Sequence, residues 1–225
     1  MSEAVPLRRQ KTGNMRVCMT GLLFITVFIL LIPAAVFSAI LTVCPACGYT
    51  SIAATYAVAA AGDTIDIQAN CNESLTWDKA VNVTSSLQNI TWNGAASTAA
   101  TLTTNGTIGN TAWTISNITM DHSNATGGYT IYLYNNPGPN LTILNCALLR
   151  SSASLTNNCV IYADITWSLN SLKLTKCLVA GNNFEYGLYM SGGNIDPSYV
   201  LVNTIVKGFN GNMYSALFDG STNVR

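Results

Sequence analysis

A six-residue stretch, "ILNCAL" (143–148), decides the fold of this chain because similar stretches recur along it. The copies align without gaps at spacings of 28, 28, 31 and 28 residues. A fixed period of this length indicates structural units that stack on one another. The five copies are "LQNITW" (87–92), "ISNITM" (115–120), "ILNCAL" (143–148), "LTKCLV" (174–179) and "VNTIVK" (202–207).

Two aligned positions are apolar in every copy and should face a core. They lie three residues apart, whereas the side chains of a continuous strand alternate between its two faces with a period of two. The chain must therefore bend between them. The first position is held by Leu87, Ile115, Ile143, Leu174 and Val202, and the second by Ile90, Ile118, Cys146, Cys177 and Ile205.

The predicted bend lies at the residue just before the second apolar position. Asparagine tolerates the left-handed backbone conformation that such a bend needs. We expect the asparagines to stack as a structural ladder in which each amide bonds its neighbours. The bend residues are Asn89, Asn117, Asn145, Lys176 and Thr204, and the ladder comprises the first three.

A second strand follows about fifteen residues further along each unit and carries an aromatic column. Its four members recur at spacings of 28, 27 and 29 residues, and turn-forming polar stretches separate the strands. A strand-rich unit of about 28 residues without a periodic helix predicts one coil of a parallel β-solenoid. The aromatic column comprises Tyr134, Tyr162, Tyr189 and Phe218.

The start of the domain predicts a cap. The stretch "YTSIAATYAVAAAGDTIDI" (49–67) contains an alanine-rich helix that should end at Gly62, followed by a strand. With Glu73 and Lys79 after it, this opening resembles the N-terminal cap and first coil of right-handed parallel β-helix proteins of the pectate-lyase-like superfamily. The resemblance covers about residues 44–225. It implies an all-β fold with a capping region over 44–62 and a right-handed β-helix over 63–225.

The same resemblance implies little about activity, because the superfamily includes lyases, hydrolases, esterases, adhesins and phage tailspikes. The usual "GTY" before the glutamate is "NCN" here (70–72). Hydrolases of this fold resemble one another in paired aspartates and a Gly-His-Gly motif, and this sequence has neither. No carboxylate column forms around Asp164, because the matching positions hold Asn136, Ser191 and Gly220.

The N-terminal part predicts a membrane-targeting segment. Residues 17–43 carry no charge, and four basic residues lie in the stretch 1–16, which we expect to remain cytoplasmic. A run of this length can span a bilayer, and it can also act as a cleaved signal peptide. The following domain is then either anchored to the membrane on the extracellular side or secreted. The final stretch "FDGSTNVR" (218–225) offers no closing segment for the last coil, so we expect further coils to follow.

Charge and cysteine content limit the classes of partner and of bound group that the chain is expected to have. After Cys44 the chain has nine acidic and six basic residues, which is no footprint for nucleic acid. In an oxidising compartment we expect a disulfide among Cys44, Cys47 and Cys71. A zinc site would need a second close cysteine pair, so we predict no metal and no cofactor.

The best polar constellation is a patch of Asp121, His122 and Arg150 on adjacent coils. His122 could act as a base while Asp121 pairs with Arg150, but an exposed ion pair at a turn explains the same residues. The aromatic column could stack against sugar rings, although a repeated ring is also what a structural stack shows. Among the glycosylation sequons, those in turns, Asn105 and Asn124, are the better acceptors.

These observations favour an extracellular or cell-surface module for binding or adhesion over an enzyme. A polysaccharide and another surface protein are the expected partners. The alternative is a polysaccharide lyase or hydrolase, or an inactive relative of one. A carboxylate cluster in an elongated groove would favour the enzyme. A third class, a stalk or assembly protein, would associate end to end.

Overall fold

A computed structural model describes most of the chain after residue 37. The described residues are 38–95, 99–105, 108, 111–123, 128–134, 138–151, 159–164, 169–191, 198–218 and 223–224.

The strands belong to two sheets. The first sheet contains, in spatial order, β1 (Ile40–Val43), β2 (Thr64–Ile67), β5 (Asn82–Thr84), β8 (Ala112–Ser116), β11 (Gly138–Leu144), β14 (Leu169–Thr175), β16 (Ser198–Val202) and β18 (Asn223–Val224). The second contains β3 (Cys71–Asn72), β6 (Thr91–Asn93), β9 (Thr119–Asp121), β12 (Ala147–Arg150), β15 (Leu178–Ser191), β13 (Cys159–Asp164), β10 (Tyr129–Tyr134), β7 (Ala100–Thr104) and β4 (Leu75–Trp77), with β17 (Ile205–Phe218) pairing with β15.

Each strand pairs in parallel with strands of the next coil, which confirms the prediction of a parallel β-solenoid. The solenoid has about four turns of about 28 residues each. Strand β15 is long because it runs along two faces: its first residues pair with β12, and its last residues pair with β13. The cross-section therefore has three strand faces, one from the first sheet and two from the second.

The first apolar column lies inside the solenoid, but the sequence alignment assigned its two outer members wrongly. Val83 occupies this position in the first aligned unit, while Leu87 is 48% exposed, because extra residues separate β5 from the bend. In the last unit Leu201 pairs with Leu174, so Val202 faces outward. The register gives the column as Ile65, Val83, Ile115, Ile143, Leu174 and Leu201.

The predicted bends are confirmed for four of the five units. Asn89, Asn117, Asn145 and Lys176 have φ values of 60°, 56°, 53° and 54°. The fifth prediction, Thr204, is wrong by one residue: Asn203 has a φ of 50° and forms the bend. The last repeat is thus one residue shorter than the gapless alignment assumed.

The N-terminal cap is held by charged side chains from the first coil. Helix α1 (Ile52–Val58) begins after Ser51, and the Glu73 carboxylate accepts hydrogen bonds from the backbone N–H groups of Ile52 and Ala53, both at 2.9 Å. Lys79 Nζ donates to the Ala59 carbonyl at 2.6 Å. An anion at the N-terminus and a cation near the C-terminus both complement the helix dipole.

The predicted end of the cap helix at Gly62 is wrong. The helix stops at Val58, and Ala59 is already extended, with a φ of −63° and a ψ of 140°. Asp63 Oδ2 accepts the N–H of Ala60, so this carboxylate stabilises the non-helical turn that follows. Gly62 has a φ of 93° and lies in the turn before β2, which is the strand predicted to follow the helix.

The predicted membrane segment, 17–43, extends too far. Residues 40–43 form β1 and pair with β2, so they belong to the solenoid. Their apolar character favours a membrane span in the sequence, whereas in the structure they form the edge strand of the first sheet. Residues 1–37 lie outside the described part of the chain. In the part that is described, no helix has the length and apolar character needed to cross a membrane.

The six cysteines that the structure describes form one disulfide and four free thiols, three of which are buried. Cys44 is bonded to Cys47, and Cys71 is a free thiol. The thiols of Cys146 and Cys177 lie on adjacent coils, where they donate to backbone carbonyls at the bend. Burial raises the pKa of the Cys146 thiol from 9.0 to about 12 and also raises the pKa of Cys177. These two cysteines are therefore free thiols, and they are buried, as their place in the second apolar column predicts.

Thiol reactivity tests this arrangement. In a Cys18→Ser variant of the full chain, we expect the free thiols to react slowly with Ellman's reagent at pH 8, because a native thiol with a raised pKa forms almost no thiolate. Unfolding in guanidinium chloride should release all four: Cys71, Cys146, Cys159 and Cys177. Since the folded pKa is the higher one, stability should be full below about pH 9 and fall as the pH rises towards 12. Rapid native labelling of Cys146 would contradict the burial.

Candidate functional site

The patch predicted at Asp121, His122 and Arg150 is not an exposed site. The three residues do lie on adjacent coils, because Asp121 pairs with Leu149. His122 and Arg150, however, are 0% and 1% exposed, since strand alternation turns both side chains into the solenoid. Arg150 is therefore not part of an exposed ion pair, and neither side chain can meet a ligand outside the solenoid.

The interior contacts of this patch are structural. The Arg150 guanidinium donates to the His122 carbonyl, and His122 Nδ1 lies 3.1 Å from Thr101 Oγ1, which itself donates to the Asp121 carbonyl at 2.7 Å. Burial lowers the pKa of Arg150, while nearby Asp121 acts in the opposite direction. A Cβ at Gly94 would overlap both His122 and Thr101, so glycine leaves the room that the imidazole fills.

Asp121 itself points outward and is engaged by the next coil. Its Oδ1 accepts the backbone N–H of Ser151 at 3.0 Å, and its Oδ2 accepts the Ser151 hydroxyl at 2.6 Å. Asp66 binds Ser86 in the same two-fold way. These carboxylates tie adjacent coils together at the strand ends.

The aromatic column exists, but two of its predicted members are wrong. Tyr162 pairs with Tyr132 on one side and with Tyr189 on the other. Tyr134 lies opposite Asp164, two residues away from the column. The backbone of Phe218 pairs with Met190 and therefore faces the other side of the sheet, whereas Leu217 pairs with Tyr189; the side chain of Phe218 lies outside the described part.

The tyrosine rings stack face to face on one another. Tyr129 stacks on Tyr162 with ring centroids 4.8 Å apart and planes 15° apart, and Tyr162 stacks on Tyr189 at 5.2 Å and 9°. A sugar ring binds an aromatic residue through a free ring face, and the central ring of this stack, Tyr162, has a tyrosine on both sides. The stack therefore joins coils, and both faces of its central ring are covered by other rings.

An elongated groove runs along the bends on the outside of the solenoid. We call it the bend groove, and its volume is about 780 Å³. It crosses five consecutive bends, which corresponds to roughly 19 Å at a strand spacing of about 4.8 Å. Its residues are 85–90, 117–119, 145–147, 176–178, Asn203 and Ile205.

The exposed bend residues Asn89, Asn117, Asn145, Lys176 and Asn203 give the groove its polar groups. Asn145 Nδ2 donates to Asn117 Oδ1 at 3.0 Å, so the predicted amide ladder forms between these two coils. Asn117 Nδ2 also lies 3.5 Å from Thr84 Oγ1.

Apolar side chains lie beside these amides. Leu87 and Ile205, which is 61% exposed, line the groove near its two ends, and Leu178 lines it between them. Leu144 and Val202 are also exposed and directly precede the bend residues Asn145 and Asn203. Among the described residues that line the groove, Lys176 is the one charged residue and none is a carboxylate.

Sequence reasoning found the ladder but missed the groove. The sequence predicts a structural role for the asparagines. Their exposure could not be predicted, because it depends on how the two sheet faces meet at the bend. One signal was available: Thr119, Ala147 and Leu178 alternate with buried residues after each bend, so one outward row flanks the ladder on every coil.

The predicted glycosylation sites remain a prediction. Asn105 is half-buried, its backbone N–H donates to the Trp77 carbonyl, and Asn124 lies outside the described residues. Asn117, another sequon, has its amide in the ladder.

No cluster of three or more His, Cys, Asp or Glu side chains within the described ranges is arranged to hold a metal ion. Comparisons of the chain with protein-family models, with curated proteins and with solved structures found no match.

Proposed function

We propose that this chain is an extracellular or cell-surface binding module, and that its bend groove takes up carbohydrate. The observation that carries the proposal is the exposed row of bend residues, which has an amide on four of its five coils and is flanked by aliphatic side chains. We also propose that the segment beginning at residue 17 directs the chain to the membrane, either as an uncleaved anchor or as a cleaved signal peptide. The proposal also includes a right-handed β-helix related to the pectate-lyase-like superfamily.

The chemistry of the groove supports a sugar polymer. Each asparagine amide offers both donors and an acceptor, which suits hydroxyl groups, and the neighbouring aliphatic residues suit the apolar faces of pyranose rings. The rungs repeat at about 4.8 Å, whereas an extended peptide presents side chains on one face about every 6.6 Å. A chain of hexose units advances by roughly the rung spacing, so it can meet successive rungs in register.

The lining of the groove favours binding over catalysis. A lyase or hydrolase needs groups that give and take protons beside the scissile bond, most often carboxylates. The residues of the bend groove contribute amides, hydroxyls, aliphatic groups and one ammonium group. A polysaccharide-active enzyme remains the alternative, and turnover of any bound oligosaccharide would favour it.

Removal of the central amides tests the proposal. We expect the double substitution Asn117→Gly with Asn145→Gly to weaken glycan binding by about tenfold or more, since each amide contributes about 1 kcal/mol. Glycine adopts positive φ readily, so the bends at 56° and 53° should persist without the amides. The full chain in detergent would be screened on a glycan array, and the best neutral oligosaccharide titrated by calorimetry.

The matched control is Asn72→Gly, because Asn72 is an exposed asparagine on β3 outside the groove. This variant should bind as the wild type does. The proposal fails if the wild-type chain binds no glycan on the array, or if the double variant with native circular dichroism binds with unchanged affinity.

A further inference from the structure

Lys176 is an exception within the row of bend residues. The four other bends, at Asn89, Asn117, Asn145 and Asn203, all use asparagine, whereas Lys176 adopts the same left-handed conformation with a φ of 54°. Residues with long side chains rarely adopt positive φ, and asparagine is several-fold enriched there. The chain therefore keeps a lysine where asparagine would fit the backbone better.

Hydrogen bonds and ion pairs with the described residues do not explain why a lysine occupies this bend. Its side chain is exposed and forms no hydrogen bond or ion pair with any residue that the structure describes. By contrast, Lys79 donates to a helix carbonyl and lies over the ring of Tyr56. An unfavourable backbone conformation that no hydrogen bond or ion pair with a described residue explains is a signal of function, because such positions cluster where ligands bind.

The position of Lys176 indicates what it could bind. It lies in the bend groove between the amides of Asn145 and Asn203, with Leu178 and Ile205 on the same rim. As none of the lining residues that the structure describes is a carboxylate, none of them competes with a ligand for the ammonium group. An unopposed cation in a groove attracts an anionic group of the ligand.

We propose that Lys176 sets the specificity of the bend groove by reading a single anionic group, a carboxylate or a sulfate ester, on an otherwise uncharged glycan. This inference rests on the proposed function and specifies its ligand. One ammonium group among five rungs matches a sparsely charged chain. A glycan charged on every unit would place its remaining anions against amides and aliphatic side chains, where they lose water without gaining a cation.

Binding of matched probes tests this. Cellohexaose and mannohexaose serve as neutral ligands, and each is also prepared with one unit oxidised to its uronate and with all units oxidised. The full wild-type chain should prefer the singly charged probe over the neutral one by about fivefold at low salt, which is about 1 kcal/mol. The preference should disappear at about 1 M salt, where the Debye length is about 3 Å. The fully oxidised probe should bind no better than the singly oxidised one.

Two substitutions of Lys176 separate the effect of its charge on binding from the effect of its backbone conformation on stability. Lys176→Asn should abolish the preference for the singly charged probe over the neutral one, and should raise the midpoint of thermal unfolding by about 2–4 °C because asparagine suits the bend. Lys176→Arg should retain the preference. Lys173→Gln is the control, since Lys173 is an exposed lysine on β14 outside the groove, and this variant should behave as the wild type.

The outcomes distinguish the two proposals. If no probe binds and the glycan array is also blank, the proposed function fails. If neutral probes bind but the singly charged ones bind no better, or if Lys176→Asn keeps the preference, only the role of Lys176 is overturned. Equal losses in Lys176→Asn and Lys173→Gln would attribute the preference to the general field of the protein and would also overturn it.

Discussion

Replacement of Trp77 by alanine should lower the free energy of unfolding by about 3–5 kcal/mol, the usual range for removing a large aromatic residue from a core. Trp77 is fully buried, and its ring lies 4.0 Å from that of Tyr56 and 6.1 Å from those of Trp92 and Trp113. Its indole N–H donates to the Val81 carbonyl at 3.3 Å. The substitution thus removes the ring contact of Tyr56 in the cap helix with the first coils, together with a buried hydrogen bond.

Urea unfolding followed by far-ultraviolet circular dichroism measures this effect without relying on the fluorescence of the residue removed. Trp77→Phe is the matched variant, because it keeps a ring in the cluster and should cost much less than alanine. An alanine variant with the wild-type midpoint and slope would show that the aromatic cluster does not hold the cap in place.

Gly128→Ala should destabilise the solenoid by at least about 3 kcal/mol. Gly128 has a φ of 116°, and an added Cβ would overlap the carbonyl oxygen of Ala99. That oxygen cannot move easily, because it accepts the backbone N–H of Tyr129 at 2.8 Å at the start of β10. Backbone strain and a steric clash therefore act at the same residue.

Gly62→Ala provides the comparison for this second variant. Gly62 also has a positive φ, 93°, but an added Cβ would meet no atom within 4 Å. This substitution should cost only the backbone term, about 1–2 kcal/mol. Both variants would be measured by urea unfolding, and equal losses at the two glycines would rule out the clash at Ala99.

The sequence alone predicted the strand register and the bend positions correctly where neighbouring repeats have the same length or differ in length only outside the bend. The pairs Ile115 with Ile143 and Ile143 with Leu174 are in the predicted register, and the bends at Asn117, Asn145 and Lys176 lie where the pattern indicated. In the outer units the assignment of the first apolar column was wrong, because a gapless alignment cannot place an insertion or a deletion. A shift of one residue moves a strand side chain to the opposite face.

The candidate site was less predictable than the fold. Arg150 and His122 look exposed in the sequence because polar stretches follow them, but β12 extends to Arg150 and its alternation continues inward from Leu148. Tyr132 and Tyr134 lie on the same face of β10, so spacing alone cannot choose between them as partners of Tyr162. Only the pairing of adjacent coils resolves both questions.

The sequence by itself determined the repeat, the left-handed bends and the parallel solenoid, since these follow from local chemistry: apolar residues seek a core, and asparagine tolerates positive φ. The tertiary structure decided which polar side chains are buried and which line a groove. Those outcomes depend on where each strand ends and on which residue of the next coil lies beside it. A row of amides read as structural in the sequence is, in the folded chain, also the exposed floor of the bend groove.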